Sequence, residues 1–248
     1  MKRFFLALLP LFLYYLISIP VWFLLTELLG DGTENGKYAM MQGIASLCTL
    51  PVLFILYRKD KMQEEEPSPA FSVSFLLGGA AVALLATALN NLLGLLSVTE
   101  MSAGWNTARE NFYNGTFASE LIFLGIVVPF VEEFLYRGVM YGRMRKIFSG
   151  KLTILFTTLI FAILHFNLAQ ILYAFLIGLL LGLLRERYGT FLPAAIGHMF
   201  ANLVAIFRQE GILNLPAEGT GAVILTVVFA AAGAGLLFLL IKQPRVRR

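Results

Sequence analysis

The sequence predicts an all-α membrane protein: a polytopic bundle of about eight transmembrane helices with both termini cytoplasmic. Three observations carry that expectation. Hydrophobic residues make up 58% of the 248 residues and charged residues only 14%, against about 25% charged in an ordinary soluble domain. Apolar stretches near the roughly 20 residues needed to cross a hydrocarbon core of about 30 Å recur along the whole chain. Lysine and arginine fall almost entirely in alternate connections between those stretches.

In order, the stretches run over residues 4–25, 38–57, 71–97, 117–142, 152–168, 170–184, 190–207 and 221–241. The first follows Lys2 and Arg3 as a signal peptide would. Its apolar run is long, contains Pro10 and Pro20, and lacks a small-residue cleavage site, so it is expected to remain as a helix. Fifteen cations share one side. They are Lys2 and Arg3; Arg58, Lys59 and Lys61; Arg143, Arg145, Lys146 and Lys151; Arg185 and Arg187; and Lys242, Arg245, Arg247 and Arg248. The opposite connections hold Lys37, Arg109 and Arg208, and Arg137 is left inside a span. This is the asymmetry of the positive-inside rule. It explains the net charge of +4 as membrane topology and removes nucleic acid as a partner. The expected setting is a multi-pass protein of the plasma membrane, with residues 1–248 as a single transmembrane domain.

Between spans, residues 64–69 read as a polar, breaker-rich cytoplasmic linker. Residues 98–118, with Trp105 and several acids, read as an outer interfacial segment. Gly78–Gly79–Ala80, Gly178 with Gly182, and the run 230–235 suit close helix packing. The single cysteine, Cys48, excludes an intrachain disulfide and multi-cysteine metal sites. It is expected to pack as a small hydrophobe.

Inside the spans, ionisable side chains stand out because each costs a few kcal/mol or more in hydrocarbon and marks a candidate functional site. They are Glu132, Glu133 and Arg137 in the fourth span, His165 in the fifth and His198 in the seventh. The two histidines are the only ones in the chain. Glu133 and Arg137 are four apart, the favourable order for an ion pair along a helix, and Asn202 shares a helix face with His198. Glu132 points about 100° away from Glu133 and has no partner on its own helix. A buried structural network would use the same triad, and on that motif alone both uses are open. Depth adds to the functional side. At about 1.5 Å per residue, Glu132, His198, His165 and Asn202 all lie roughly 14–20 Å from their flanks, near mid-membrane.

A carboxylate beside a histidine in a poorly solvated pocket can act as general base on water. A second imidazole and a carboxamide supply donors for an oxyanion. Together they describe amide hydrolysis with water as nucleophile. Other membrane hydrolases lack their residues here: no His-Glu-x-x-His is present, and Asp31 and Asp60 both lie in connections. No serine stands in a Gly-x-Ser elbow.

Glu132-Glu133-x-x-x-Arg137, then Phe161-x-x-x-His165, then His198-x-x-x-Asn202, in that order on separate spans, resembles the three-motif signature of the CPBP intramembrane glutamic proteases. These are the CAAX prenyl proteases and bacteriocin-processing enzymes, also called the Abi family. The resemblance covers about residues 117–208. It implies eight spans and a site in a cavity open to the cytosol. It further implies that Glu132 activates water with His165 assisting, and that His198 and Asn202 stabilise the oxyanion. Glu133 and Arg137 are read as a positioning pair and Phe161 as a packing residue. No cofactor is implied, although Glu132, His165 and His198 would also suffice as three zinc ligands. The expected partners are the lipid bilayer and a peptide or membrane-protein substrate. The competing readings are a non-catalytic immunity factor or scaffold and, third, a transporter, for which Asn90 and Asn91 are the extra polar residues.

Overall fold

The computed structural model describes residues 2–33, 36–62 and 71–242, and every element among them is helical. The linker at 64–69 and the basic positions 245, 247 and 248 lie outside the described residues.

Helix α1 (Lys2–Leu29) passes through Pro10 and Pro20 without ending. The second expected span is two helices, α2 (Tyr38–Leu47) and α3 (Leu50–Lys61). The break falls at Cys48–Thr49 because Pro51 has no N–H for the carbonyl four residues back, and the Thr49 hydroxyl donates to the Ser46 carbonyl at 2.7 Å. Cys48, expected inside, is exposed at this break. Helix α4 (Val73–Leu95) starts on Ser72, whose hydroxyl accepts from the Ser74 N–H at 3.3 Å. Two short helices follow, α5 (Val98–Met101) and α6 (Trp105–Phe112), where the interfacial segment was expected. A continuous helix, α7, fills 117–145. Helices α8 (Gly150–Ile163), α9 (Leu168–Tyr188), α10 (Leu192–Gln209) and α11 (Gly219–Lys242) complete the bundle. Asn167 caps α9 by accepting from the Gln170 N–H at 3.0 Å, and Gly189, with φ 70°, ends it.

Among the described residues, five helical stretches are long and apolar enough to cross a membrane: Arg3–Leu29, Tyr38–Lys61, Val73–Leu95, Leu168–Tyr188 and Gly219–Lys242. The fifth expected span, 152–168, is shorter than its apolar run suggests. Helix α8 has 14 residues, about 21 Å at 1.5 Å each, and ends at Ile163 in a turn. The outward surface is apolar: Phe12, Phe54, Val227 and Leu239 are each more than half exposed. Such a belt fits lipid rather than water.

Helix α4 packs against both α10 and α11, and the predicted small residues make this possible. A Cβ on Gly79 would lie 2.7 Å from Ile196 Cγ2, and one on Gly233 would lie 3.0 Å from the Ala81 carbonyl oxygen.

Polar contacts define the two ends of the bundle. At the basic end, Arg143 bridges Asp60 at 2.6 Å and donates to the Leu6 carbonyl at 3.0 Å. There too Arg145 pairs with Glu186 at 3.2 Å, tying α1, α3, α7 and α9 together. At the opposite end Arg109 donates to Gln209 at 3.2 Å and Arg208 to the Pro216 carbonyl at 3.1 Å. Ser102 meets Asn167 across α5 and α9 at 3.4 Å.

Candidate active site

Helix α7 presents Glu132 and Glu133 from one α-helical turn-and-a-half, Val128–Glu133, set between two π-helical stretches, Glu120–Val127 and Phe134–Met140. A π-turn widens the helix by one residue and is frequent at functional sites. In the first stretch the Val128 N–H bonds the carbonyl five residues back, Phe123. Continued by one residue, that pattern would require an N–H at position 129, but this is Pro129. The orphaned Leu124 carbonyl is taken instead by Asn202 Nδ2 at 2.9 Å. One amide hydrogen of Asn202 thus holds α10 against α7, and the other remains to donate elsewhere.

The expected Glu133–Arg137 pair is present, with NH1 to Oε1 at 2.7 Å and both side chains fully buried. Arg137 NH2 also donates to the Gly178 carbonyl at 3.0 Å, an approach allowed by the absent Cβ, which would lie 3.0 Å from that nitrogen. Glu133 has a second partner that spacing did not suggest. His198 Nδ1 donates to the same Oε1 at 3.0 Å. A carboxylate oxygen only accepts, so Nδ1 carries the proton and Nε2 is directed elsewhere. It lies 3.9 Å from Glu132 Oε2. Glu133 therefore orients the imidazole that faces Glu132, and the Glu132 carboxylate accepts no hydrogen bond from any described residue.

His165 lies in the turn just beyond α8 rather than within a span. Its backbone N–H bonds the Ala162 carbonyl, which strands the Phe161 carbonyl. Nδ1 donates to that carbonyl at 2.9 Å, the usual way a side chain satisfies a helix end. The bond fixes the proton on Nδ1 and leaves Nε2 as an acceptor. No hydrogen bond or ion pair links His165 to Glu132 among the described residues.

Phe161 is more than packing. Its ring stands edge-on to His165 at 4.9 Å and to His198 at 5.9 Å, with Arg137 Cζ 4.8 Å from its centre. A buried cation over a ring gains up to about 2 kcal/mol. Tyr136 packs on the same ring at 5.1 Å. Sequence spacing placed Phe161 one turn from His165 and held no sign of the other three contacts.

Glu132, His165, His198 and Asn202 all line one cavity of about 1210 Å³, together with Tyr14, Tyr15 and Tyr136. Glu133 and Arg137 are sealed behind its wall. Among the described residues no group of three or more His, Cys, Asp or Glu is arranged to hold a metal ion. Asn90 and Asn91, singled out for transport, line the far end of the same cavity, where Asn91 accepts from Arg208 at 2.5 Å.

The cavity wall continues to α6, the turn at 166–167 and the segment after α10, all at the end opposite the basic one. A cavity open to the cytosol and chain ends in the cytosol were both expected; the cavity wall reaches the end of the bundle opposite the described chain ends.

Residues 114–204 match a protein-family model described as type II CAAX prenyl endopeptidase Rce1-like. No curated protein and no solved structure matches the chain. The matched stretch starts just before α7, ends within α10, and contains Glu132, Glu133, Arg137, Phe161, His165, His198 and Asn202. Through residues 114–204, the segment that carries all seven of these side chains, the chain is similar to the CAAX-type proteases.

Proposed function

We propose that this protein is an intramembrane endopeptidase that hydrolyses a peptide bond with a water activated by Glu132. The observation that carries the proposal is the division of labour between adjacent glutamates. Glu133 is buried and doubly bonded, whereas Glu132 is 22% exposed and lines the cavity with a carboxylate that accepts no hydrogen bond from any described residue and has His198 Nε2 nearby at 3.9 Å.

In this reading a water sits between Glu132 and His165 Nε2. Glu132 takes its proton as the oxygen attacks the scissile carbonyl, and returns it to the amine nitrogen as the C–N bond breaks. The spare amide hydrogen of Asn202, and His198 when its Nε2 is protonated, face the developing oxyanion. Glu133 and Arg137 position His198. Eight membrane crossings with cytoplasmic ends complete the proposal, and a plasma-membrane location follows from it. Helices α7, α8 and α10 supply the three crossings beyond the five long apolar ones.

The reading as a non-catalytic scaffold has Glu133, Arg137 and Asn202 on its side, because their contacts are structural. It leaves Glu132 and His165 Nε2 without a purpose in an apolar bundle, where unpaired polar groups are costly. Purified Glu132→Gln protein decides between them. Wild-type hydrolysis of a peptide by that variant would refute the protease reading. A chelator series on the wild-type protein tests the metal-independent form: loss of activity restored by zinc would establish the zinc alternative.

A further inference from the structure

We infer that the substrate reaches Glu132 from the extracytoplasmic side, so that this site takes peptide segments exposed on the outer face of the membrane rather than cytosolic chain ends. This rests on the protease reading above and adds the compartment that supplies the substrate.

The mouth comes first. Thr107 and Arg109 on α6, Phe166 beyond α8, Gln209 at the end of α10, and Asn214 and Ala217 after it all line the cavity. All six are exposed, and Leu215 also lines the wall, half-buried. Each lies at the end of the bundle where α1, α4, α8 and α10 finish.

The other direction is closed. Toward the basic end, Tyr14, Tyr136 and Phe161 on the cavity wall join Leu53 and Val131 in one buried apolar core. The Tyr136 and Phe161 ring centres are 5.1 Å apart. Leu135, Met140 and Met144 behind them are fully buried, and the Arg143–Asp60 and Arg145–Glu186 bridges close the helix ends below. A close-packed apolar plug of this kind leaves no path for an extended peptide.

Charge then assigns the sides. The helix ends at the plugged face carry Arg58, Lys59, Lys61, Arg143, Arg145 and Lys146, among others, whereas the open face carries Lys37, Arg109 and Arg208. Short cationic connections stay cytoplasmic during insertion. The plug therefore faces the cytosol and the mouth faces out.

Cysteine accessibility tests this in intact cells making the full chain, on a Cys48→Ser background. A membrane-impermeant maleimide should label a Thr107→Cys variant before lysis and a Ser149→Cys variant only after permeabilisation. The reverse pattern overturns the inference. An Ala205→Cys variant, on the cavity wall beyond Asn202, extends the test from mouth to site. An impermeant cationic thiosulfonate added outside should abolish its peptide hydrolysis, and protection from that reagent with block by a permeant one overturns the inference. The labelling arms need no activity. If Glu132→Gln protein kept wild-type hydrolysis, the protease reading would fail while labelling still decided which side the mouth faces.

Discussion

The two ends of this bundle use polar residues in opposite ways. At the basic end charged groups pair across helices: Arg143 with Asp60, Arg145 with Glu186, and, deeper, Arg137 with Glu133 and the Gly178 carbonyl. Toward the other end the same helices separate around a cavity whose wall holds Glu132 and His165, each with a polar atom that no described residue meets. The difference teaches that neighbouring residues of one helix, Glu132 and Glu133, belong to different machinery. Carboxylates held by hydrogen bonds keep a helix bundle in register, and one that faces a cavity without them is available for proton transfer.

Substitutions can break or sharpen that comparison. The largest effect is expected for Glu132→Gln, which should lower peptide hydrolysis by about 10²–10⁴-fold, the usual worth of a general base. The midpoint of thermal unfolding in detergent should stay near wild type. An equal loss of stability would erase the distinction between the two glutamates. Next comes Arg137→Met, which strands a buried carboxylate and should cost about 3–5 kcal/mol of unfolding free energy, with much of it recovered in the Glu133→Gln, Arg137→Met double variant. Denaturant titration in mixed micelles reads both.

Gly178→Ala should be milder, about 1–3 kcal/mol from overpacking, because its Cβ would lie 2.9 Å from Thr158 Cγ2 and 3.0 Å from Arg137 NH2. Asn202→Leu should cost about 1–2 kcal/mol by orphaning the Leu124 carbonyl. That cost should shrink on a Pro129→Ala background, where residue 129 regains an N–H. An unchanged cost would mean that proline does not explain the Asn202 contact. The smallest effect is expected at the mouth, where Thr107→Ala should shift stability by less than about 0.5 kcal/mol.

Particular residues show how much was legible beforehand. The Glu133–Arg137 pair was readable because an i, i+4 contact depends only on helical geometry. The same geometry turned Glu132 away from it. The second bond to Glu133, from His198, joins residues 65 apart, and no local rule reports such a meeting. The π-turns around Val128–Glu133 were likewise invisible, although Pro129 followed in space by an asparagine is the signal that marks one of them. Span boundaries failed where apolarity outlasted the helix: α8 stops at Ile163, yet the sequence stays greasy to Leu168. Cys48 was misplaced because hydrophobicity alone does not distinguish the inside of a membrane protein from its lipid-facing surface.

By itself the sequence determined an all-helical, membrane-dwelling chain, a basic side, and the short roster of polar residues worth explaining. Those follow from composition, run length and charge alternation, all of which are properties of local stretches. Only the tertiary structure decided which roster members share a cavity, that Glu133 holds His198, that His165 presents Nε2, and that the cavity wall reaches the end away from the basic one. Each of these depends on contacts between helices far apart in the chain, where packing of whole surfaces rather than local periodicity sets the distance.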